Sequence, residues 1–518
     1  MCLSSRTLVT ASLIAIAVVG LYATRLGFSP IYLMHDESKF ALQAQAIAAT
    51  GRDLTGHRLP VYFTEEEFPA GRDPLIIYAT AAALKVLPLS EAAVRLPTAL
   101  LGVLDVVLMF FLARRLFGSD RMGAVGAMVL ALTPAHFMRS RLVLSPVYAL
   151  PFILAWLISL DQFDRRDERR SLLAAGAWLS LGMYSYLACM VMMPLYLVLT
   201  VWMVIENRMP RLVPAVLWGF AIPLVPMALW YATHAERYSQ IIDAYRLFNA
   251  GQRGTEAVPS LGLLATLRLR LDLYWSFFSP DFFFLSGQPS LIDSTRTAGI
   301  FSIALAVLMP VGAYVLIRGK AGAIGRVIAI GLLTAPLATV ISGHIEMNRV
   351  LFVIPFGVLA AMFGADAMLT ARRAAWRWTA VALLLAIPFQ FWGFYRHYMG
   401  QYRVASSGYF GGNLREALVD VVSRQTERGR PIYLSRRIPF VDRYWRFYSI
   451  AQGRSDLVSS ATFVDTLALD PLTPPQASLL VCAATDEACL GFQASGWSRV
   501  HTSIEPDGTP AFAVFEKR

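Results

Sequence analysis

Cysteine is scarce in this chain, with four among 518 residues, and charged residues make up only 16%. Cys2 has no lipobox before it and Cys189 falls at the end of an apolar run, so neither thiol is given a role. Cys482 and Cys489 share one later segment, and their spacing fits a disulfide in an oxidising compartment or a free pair. No repeat of fixed period runs along the chain and no stretch is of low complexity, which sets aside repeat architectures. No convincing cleavage site follows the first apolar run, so residues 8–27 are expected to remain as an anchor.

What the chain has in abundance is hydrophobic sequence, 56% of all residues, in one run after another long enough to cross a bilayer. The formal charge of +11 raises nucleic acid as a partner, because a basic balance can signal phosphate binding. The distribution of the arginines excludes it. They gather between apolar runs, at Arg114-Arg115 with Arg121, Arg165-Arg166 with Arg169-Arg170, Arg208 with Arg211, Arg318-Lys320 with Arg326, and Arg372-Arg373 with Arg377. Short basic loops stay on the cytoplasmic side, so the charge reports topology.

With those clusters fixed inside, spans are expected at 8–27, 93–113, 122–137, 146–161, 172–188, 190–206, 212–233, 298–317, 327–342, 350–370 and 378–395. Residues 74–89 are apolar but short and interrupted by Lys85, which suits a re-entrant or interfacial helix. If they crossed, every later loop would invert. The loop 234–297 carries an aromatic-rich stretch, Leu263 to Leu273 followed by Trp275, Phe277 and Phe278, expected to lie in the interface as an anchor.

Past Tyr395 the composition changes. Strand-like runs at 431–434, 479–483 and 511–515 flank a helical stretch at 414–424, which predicts a small α/β domain. The chain therefore divides into a transmembrane part, 1–395, and an extracytoplasmic α/β domain, 396–518.

Two adjacent carboxylates, Asp36 and Glu37, stand just past the first span, where a membrane protein has little structural need of them. Phe40, Ala41, Ala44, Ile47 and Ala48 recur behind them at helical spacing, which predicts an amphipathic surface helix with Asp36 at or near its N-cap. Cations also occur on the outer side near lipid: Arg72, Arg139 and Arg141 around Ser140, and Arg349 after His344-Ile345-Glu346. Their partners are either carboxylates such as Glu65, Glu66, Glu67 or Glu346, or a lipid phosphate. Three separate sites favour the phosphate.

The order His35-Asp36-Glu37, then Gly71-Arg72-Asp73-Pro74-Leu75, Ser90-Glu91-Ala92-Ala93-Val94-Arg95-Leu96-Pro97 and Arg114-Arg115-Leu116-Phe117-Gly118 resembles the GT-C glycosyltransferases. Within that superfamily the chain is most similar to the protein O-mannosyltransferase and lipid A aminoarabinose transferase group, over roughly residues 1 to 400. The resemblance implies an α-helical polytopic fold of the GT-C type, with about 11 to 13 transmembrane helices, external amphipathic helices and a small C-terminal α/β domain. It implies Asp36 as the catalytic carboxylate. The family's Lys-Pro-Pro signature corresponds to Arg72-Asp73-Pro74, which keeps a cation, and Ser145 stands where the family often has a second acid.

Transfer from a polyprenyl-phosphate sugar needs little acid assistance, because phosphate is a good leaving group that cations stabilise electrostatically. The acceptor hydroxyl must lose a proton, and a placed carboxylate contributes about 10²–10⁴-fold as general base. This reading assigns Asp36 as base, Glu37 as its orienting partner, and Arg72, Arg139, Arg141, Arg349 and Lys85 as donor-phosphate ligands. Tyr184 and Tyr186 either stack on a sugar or belong to the aromatic belt, and His344 and Glu346 are placed with sugar or acceptor. No metal site is assigned, although a divalent metal at His344 and Glu346 stays open as a cofactor.

The expected partners are a polyprenyl-phosphate sugar donor, membrane lipid and an envelope acceptor, in the inner (plasma) membrane, with the sugar, acceptor and oligomeric state unspecified. The rivals are a transporter, disfavoured because the two halves do not resemble each other, and a lipid-linked oligosaccharide ligase.

Overall fold

The computed structural model describes residues 4–65, 68–166, 168–236, 263–319, 322–342, 347–425 and 429–518. It separates into two compact units. One comprises Met1–Thr24, Leu59–Ile76 and Thr98–Arg396; the other comprises Arg25–Arg58, Ile77–Pro97 and His397–Arg518. The second unit thus draws on two segments of the first 100 residues besides the C-terminal part.

Among the described residues seven stretches are helical, long and apolar enough to span a bilayer: Ser5–Tyr22, Glu91–Phe117, Ser145–Arg166, Cys189–Glu206, Pro210–Thr233, Gly322–Val340 and Ala374–Ala405. The chain is a multi-pass membrane protein. The other four expected spans fall on the shorter helices Asp120–Ala131, Arg169–Gly182, Leu305–Ile317 and Val353–Leu369. At about 1.5 Å per residue these cover roughly 18 to 26 Å, less than the hydrocarbon thickness. The 122–137 run is cut because Pro134, which lacks an amide donor, opens a new short helix, Pro134–Arg139. The apolar segment after Asp73 forms the helix Pro74–Leu84, 11 residues long, about half of what a crossing requires.

In the first unit, packing relies on missing side chains. A Cβ on Gly312 would overlap the Ala360 carbonyl, and one on Gly364 would overlap that of Leu308, so Leu305–Ile317 and Val353–Leu369 touch backbone to backbone. Gly176 and Gly219 do the same for Arg169–Gly182 and Val213–Thr233. Arg115 and Arg165 both bond Asp161, at 2.8 and 2.7 Å, so two of the basic clusters meet on one carboxylate at one end of the helices. The aromatic-rich stretch forms the helix Leu263–Phe277, on which Leu264, Leu271 and Trp275 are exposed.

The second unit is built on a five-stranded sheet whose strands, with the short β1 (Phe63–Glu65) and β2 (Phe68–Arg72) hairpin of the first unit counted first, are β3 (Ile432–Ser435), β4 (Ala461–Val464), β5 (Leu479–Ala483), β6 (Trp497–Ile504) and β7 (Pro510–Lys517). The order is β4-β3-β5-β7-β6, with β3 parallel to β4 and β5 and the β5-β7-β6 ladder antiparallel. Leu414–Arg424 starts where the Asn413 side chain accepts from the Glu416 amide. Cys482 and Cys489 form a disulfide beneath Trp497, Phe492 and Phe515.

The helix after the first span, His35–Thr50, departs from expectation. It was predicted to lie on the surface with a polar face in water, yet Glu37, Ser38, Lys39 and Gln43 are all buried. Its polar side chains find partners inside the unit, as when Gln43 accepts from the Leu54 amide at 3.2 Å.

Candidate functional site

The helix start that carries the acidic pair uses the two carboxylates differently. Met34, not Asp36, is the N-cap residue, and Glu37 reaches back to accept from the Met34 amide at 3.0 Å. Glu37 also receives two bonds from Arg95, 2.8 Å from Nε and 2.7 Å from Nη2, and both side chains are wholly excluded from solvent. The other guanidinium donors of Arg95 go to the carbonyls of Leu26, Pro30 and Tyr32. One arginine therefore fixes the segment that leads into the helix. The Glu37 carboxylate is thus spent on Arg95 and on the Met34 amide.

Asp36 keeps a third of its side chain exposed. His35 Nε2 lies 3.7 Å and Lys39 Nζ 3.8 Å from Asp36 Oδ1. The His35 ring stacks on Phe440 at 4.6 Å, and Lys39 and Arg443 each place their charge over the same ring, at 5.4 and 4.8 Å. Phe440 is held at φ 56°, the left-handed region, as it opens the helix Val441–Ala451. One turn later the Tyr444 hydroxyl donates to the Leu33 carbonyl at 2.9 Å. Burial pushes that phenol well above its ordinary value, and the charges of Glu37 and Asp36 push it further, so it stays protonated. An accessible carboxylate thus stands among cations to which the sequence reading assigned no site role, Lys39 and Arg443.

In the first unit, Pro134–Arg139 and the turn after it carry Arg139 and Arg141 into the interior, at 1% and 0% exposure. Arg139 pairs with Asp293, not with any carboxylate expected for it, and its Nε and Nη1 are buried without a partner among the described residues. Arg141 spends Nη1 on the carbonyls of Tyr22 and Thr24, at 2.7 and 2.9 Å, and lies over Phe137. Arg349 is buried. Arg72 ends β2, and Lys85 is exposed just past its helix. Ser145 opens the one-turn 3₁₀ segment before Leu150–Arg166.

Tyr184 serves a helix. Its hydroxyl donates to Pro223 O at 2.7 Å and accepts from Met227 N at 3.1 Å, so it stands inside the backbone ladder of Val213–Thr233 between two groups that would otherwise bond each other. Tyr186 is half-buried. His344 and Glu346, like Glu66 and Glu67, lie outside the described residues. Among the described residues no group of three or more His, Cys, Asp or Glu side chains is placed to hold a metal ion.

A second network escaped the sequence reading: Asp105 Oδ2 lies 3.2 Å from His136 Nε2, whose Nδ1 is 2.8 Å from the Tyr22 hydroxyl, all at 0% exposure. Arg95 was visible only as part of a motif. Its pairing with Glu37, 58 residues away in sequence, leaves no local signal.

Residues 70–230 match the family of dolichyl-phosphate-mannose-protein mannosyltransferases. A protein of Aquifex aeolicus described as uncharacterized is 29% identical over 158 residues, and the match spans 30% of this chain and 30% of that relative's length. Among solved structures, the chain is similar along 99% of its length to ArnT from Cupriavidus metallidurans, with 98% of that chain covered. The TM-score is 0.63 at 15% identity for the apo form and 0.58 at 14% for the form bound to undecaprenyl phosphate. The chain therefore shares the fold of that protein along nearly its whole length, which agrees with the fold that the motif order implied.

Proposed function

We propose that this chain moves a sugar from a polyprenyl-phosphate donor to an acceptor of the cell envelope, on the extracytoplasmic side of the inner membrane, with Asp36 as general base. The observation that carries the assignment is the contrast within one helical turn. Glu37 is sealed off and committed to Arg95 and Met34, whereas Asp36 is reachable and flanked by His35 and Lys39. Of the two adjacent acids, Asp36 alone can meet a substrate hydroxyl.

The acceptor hydroxyl gives its proton to Asp36 while its oxygen bonds to the anomeric carbon. The bond from that carbon to the donor phosphate breaks, and the phosphate leaves with the electron pair. Cations make that departure possible. Arg139 fits the task by its own chemistry, since two buried guanidinium nitrogens without partners among the described residues are costly until an anion meets them. Arg72, Arg349 and Lys85 are retained as phosphate ligands with Arg139, while Arg141 holds the turn by its two carbonyls. The likeness to mannosyltransferases over 70–230 and to an undecaprenyl-phosphate-binding structure supports a lipid-phosphate donor.

Asp36→Asn tests the reading. Transfer from a radiolabelled polyprenyl-phosphate sugar should fall about 10²–10⁴-fold with thermal stability unchanged. A variant that keeps near-normal turnover would overturn the base assignment. Mass spectrometry of lipid extracts, with and without the protein, should show which polyprenyl-phosphate sugar accumulates in its absence.

A further inference from the structure

The second unit contains a cavity of about 340 Å³ well apart in composition from the acidic helix start. Its polar wall is Glu91, Arg415 and Tyr448, and its apolar wall includes Leu89, Val419 and Phe447. Glu91 is buried and divides its carboxylate: Oε1 accepts from the Tyr448 hydroxyl at 2.8 Å, and Oε2 from Arg415 Nη1 at 2.9 Å. Burial raises the Tyr448 phenol far above its ordinary value and Glu91 adds to the effect, so the hydroxyl remains a donor.

We propose that this cavity binds a neutral hydroxylated ring, a monosaccharide unit of the acceptor. Charge argues for neutrality. Glu91 and Arg415 cancel, so an anion entering meets the carboxylate and a cation meets the guanidinium. Hydrogen-bonding capacity argues for hydroxyls. Each Glu91 oxygen has a further lone pair beyond the bond it already accepts, and the half-exposed Arg415 has N–H groups beyond the one it spends. Neighbouring hydroxyls of a sugar both donate and accept, so one ring answers both. Shape argues for a ring with a C–H face, since Leu89, Val419 and Phe447 supply the apolar surface such a face packs on. The volume lies at the small end of ligand pockets, about 300–1,000 Å³, which suits a single ring better than an acyl chain. Binding does not depend on the transfer reaction, but calling the sugar part of the acceptor rests on the function proposed above.

The test uses the full chain in lipid nanodiscs and saturation-transfer NMR with the methyl glycosides of mannose, glucose and galactose, alongside glucose 6-phosphate and glucosamine. Ala92 and Gln452 line the mouth and are exposed, so Ala92→Trp and Gln452→Trp block it without burying new bulk. At least one neutral glycoside should bind, and each tryptophan should weaken it about tenfold or more, with thermal unfolding unchanged. Glu91→Gln, which keeps the shape and removes the charge, should weaken it as well. Asp36→Asn should leave binding intact while abolishing transfer, which separates this proposal from the catalytic one. It is overturned if no neutral glycoside binds, if binding withstands both tryptophans, if Asp36→Asn removes it, or if the phosphorylated or amino sugar binds tighter.

Discussion

Arg95 grips Glu37 through two parallel bonds in a site closed to water, and spends its other donors on three carbonyls of the segment 26–32. A buried pair of this kind is costly to break from one side, because the remaining charge is left without compensation. Arg95→Met or Glu37→Leu alone should destabilise the protein by about 3–5 kcal/mol, and the double replacement by much less. Thermal unfolding in detergent, arranged as a double-mutant cycle, measures this. Arg95→Lys should resemble Arg95→Met, since an ammonium cannot reproduce the planar fork.

Arg139→Gln removes the charge proposed to meet the donor phosphate. It should lower kcat/KM for the polyprenyl-phosphate sugar about 10²-fold or more, while stability changes little because Asp293, with 20% of its side chain exposed, keeps access to water. Equal losses for donors with and without phosphate would point instead to a folding defect.

The phenols of Tyr444 and Tyr448 are both raised, chiefly by burial. In the unfolded chain each ionises near its usual value of about 10, while in the folded chain it cannot. Their contribution to stability is complete below that pH and is lost as pH rises above it. The slope should be about 1.4 kcal/mol per pH unit for each tyrosine. Denaturant titrations between pH 9 and about 11.5 should become shallower in Tyr448→Phe.

Gly312 and Gly364 let two helices meet at their backbones. Gly312→Leu forces the contact apart, at a cost of about 1–3 kcal/mol or more. Reduced yield and a lowered Tm, with Gly20→Leu in open space as the neutral control, are the expected outcome.

Much of this was legible in the sequence, and the failures have common causes. Apolar runs and arginine clusters located the helices, because both signals are local. Strands β3, β5 and β7 and the helix Leu414–Arg424 came from periodicity and hydrophobic runs. β6 did not, since Ser498, Arg499, His501 and Thr502 dilute it in an edge strand with one side open. Asp36 was singled out by position, but its neighbours Phe440 and Arg443 arrive from about 400 residues away, at the start of the helix Val441–Ala451. The surface helix was misjudged for the same reason: Lys39 and Gln43 look solvated until the segments that bury them are known.

Phe440 sits where a side chain is a liability, since its left-handed backbone costs roughly 1–2 kcal/mol that glycine would avoid. Yet imidazole, ammonium and guanidinium all converge on that one aromatic disc beside Asp36. Trading the ring for hydrogen would relax the backbone there and take away the one surface on which those three groups gather.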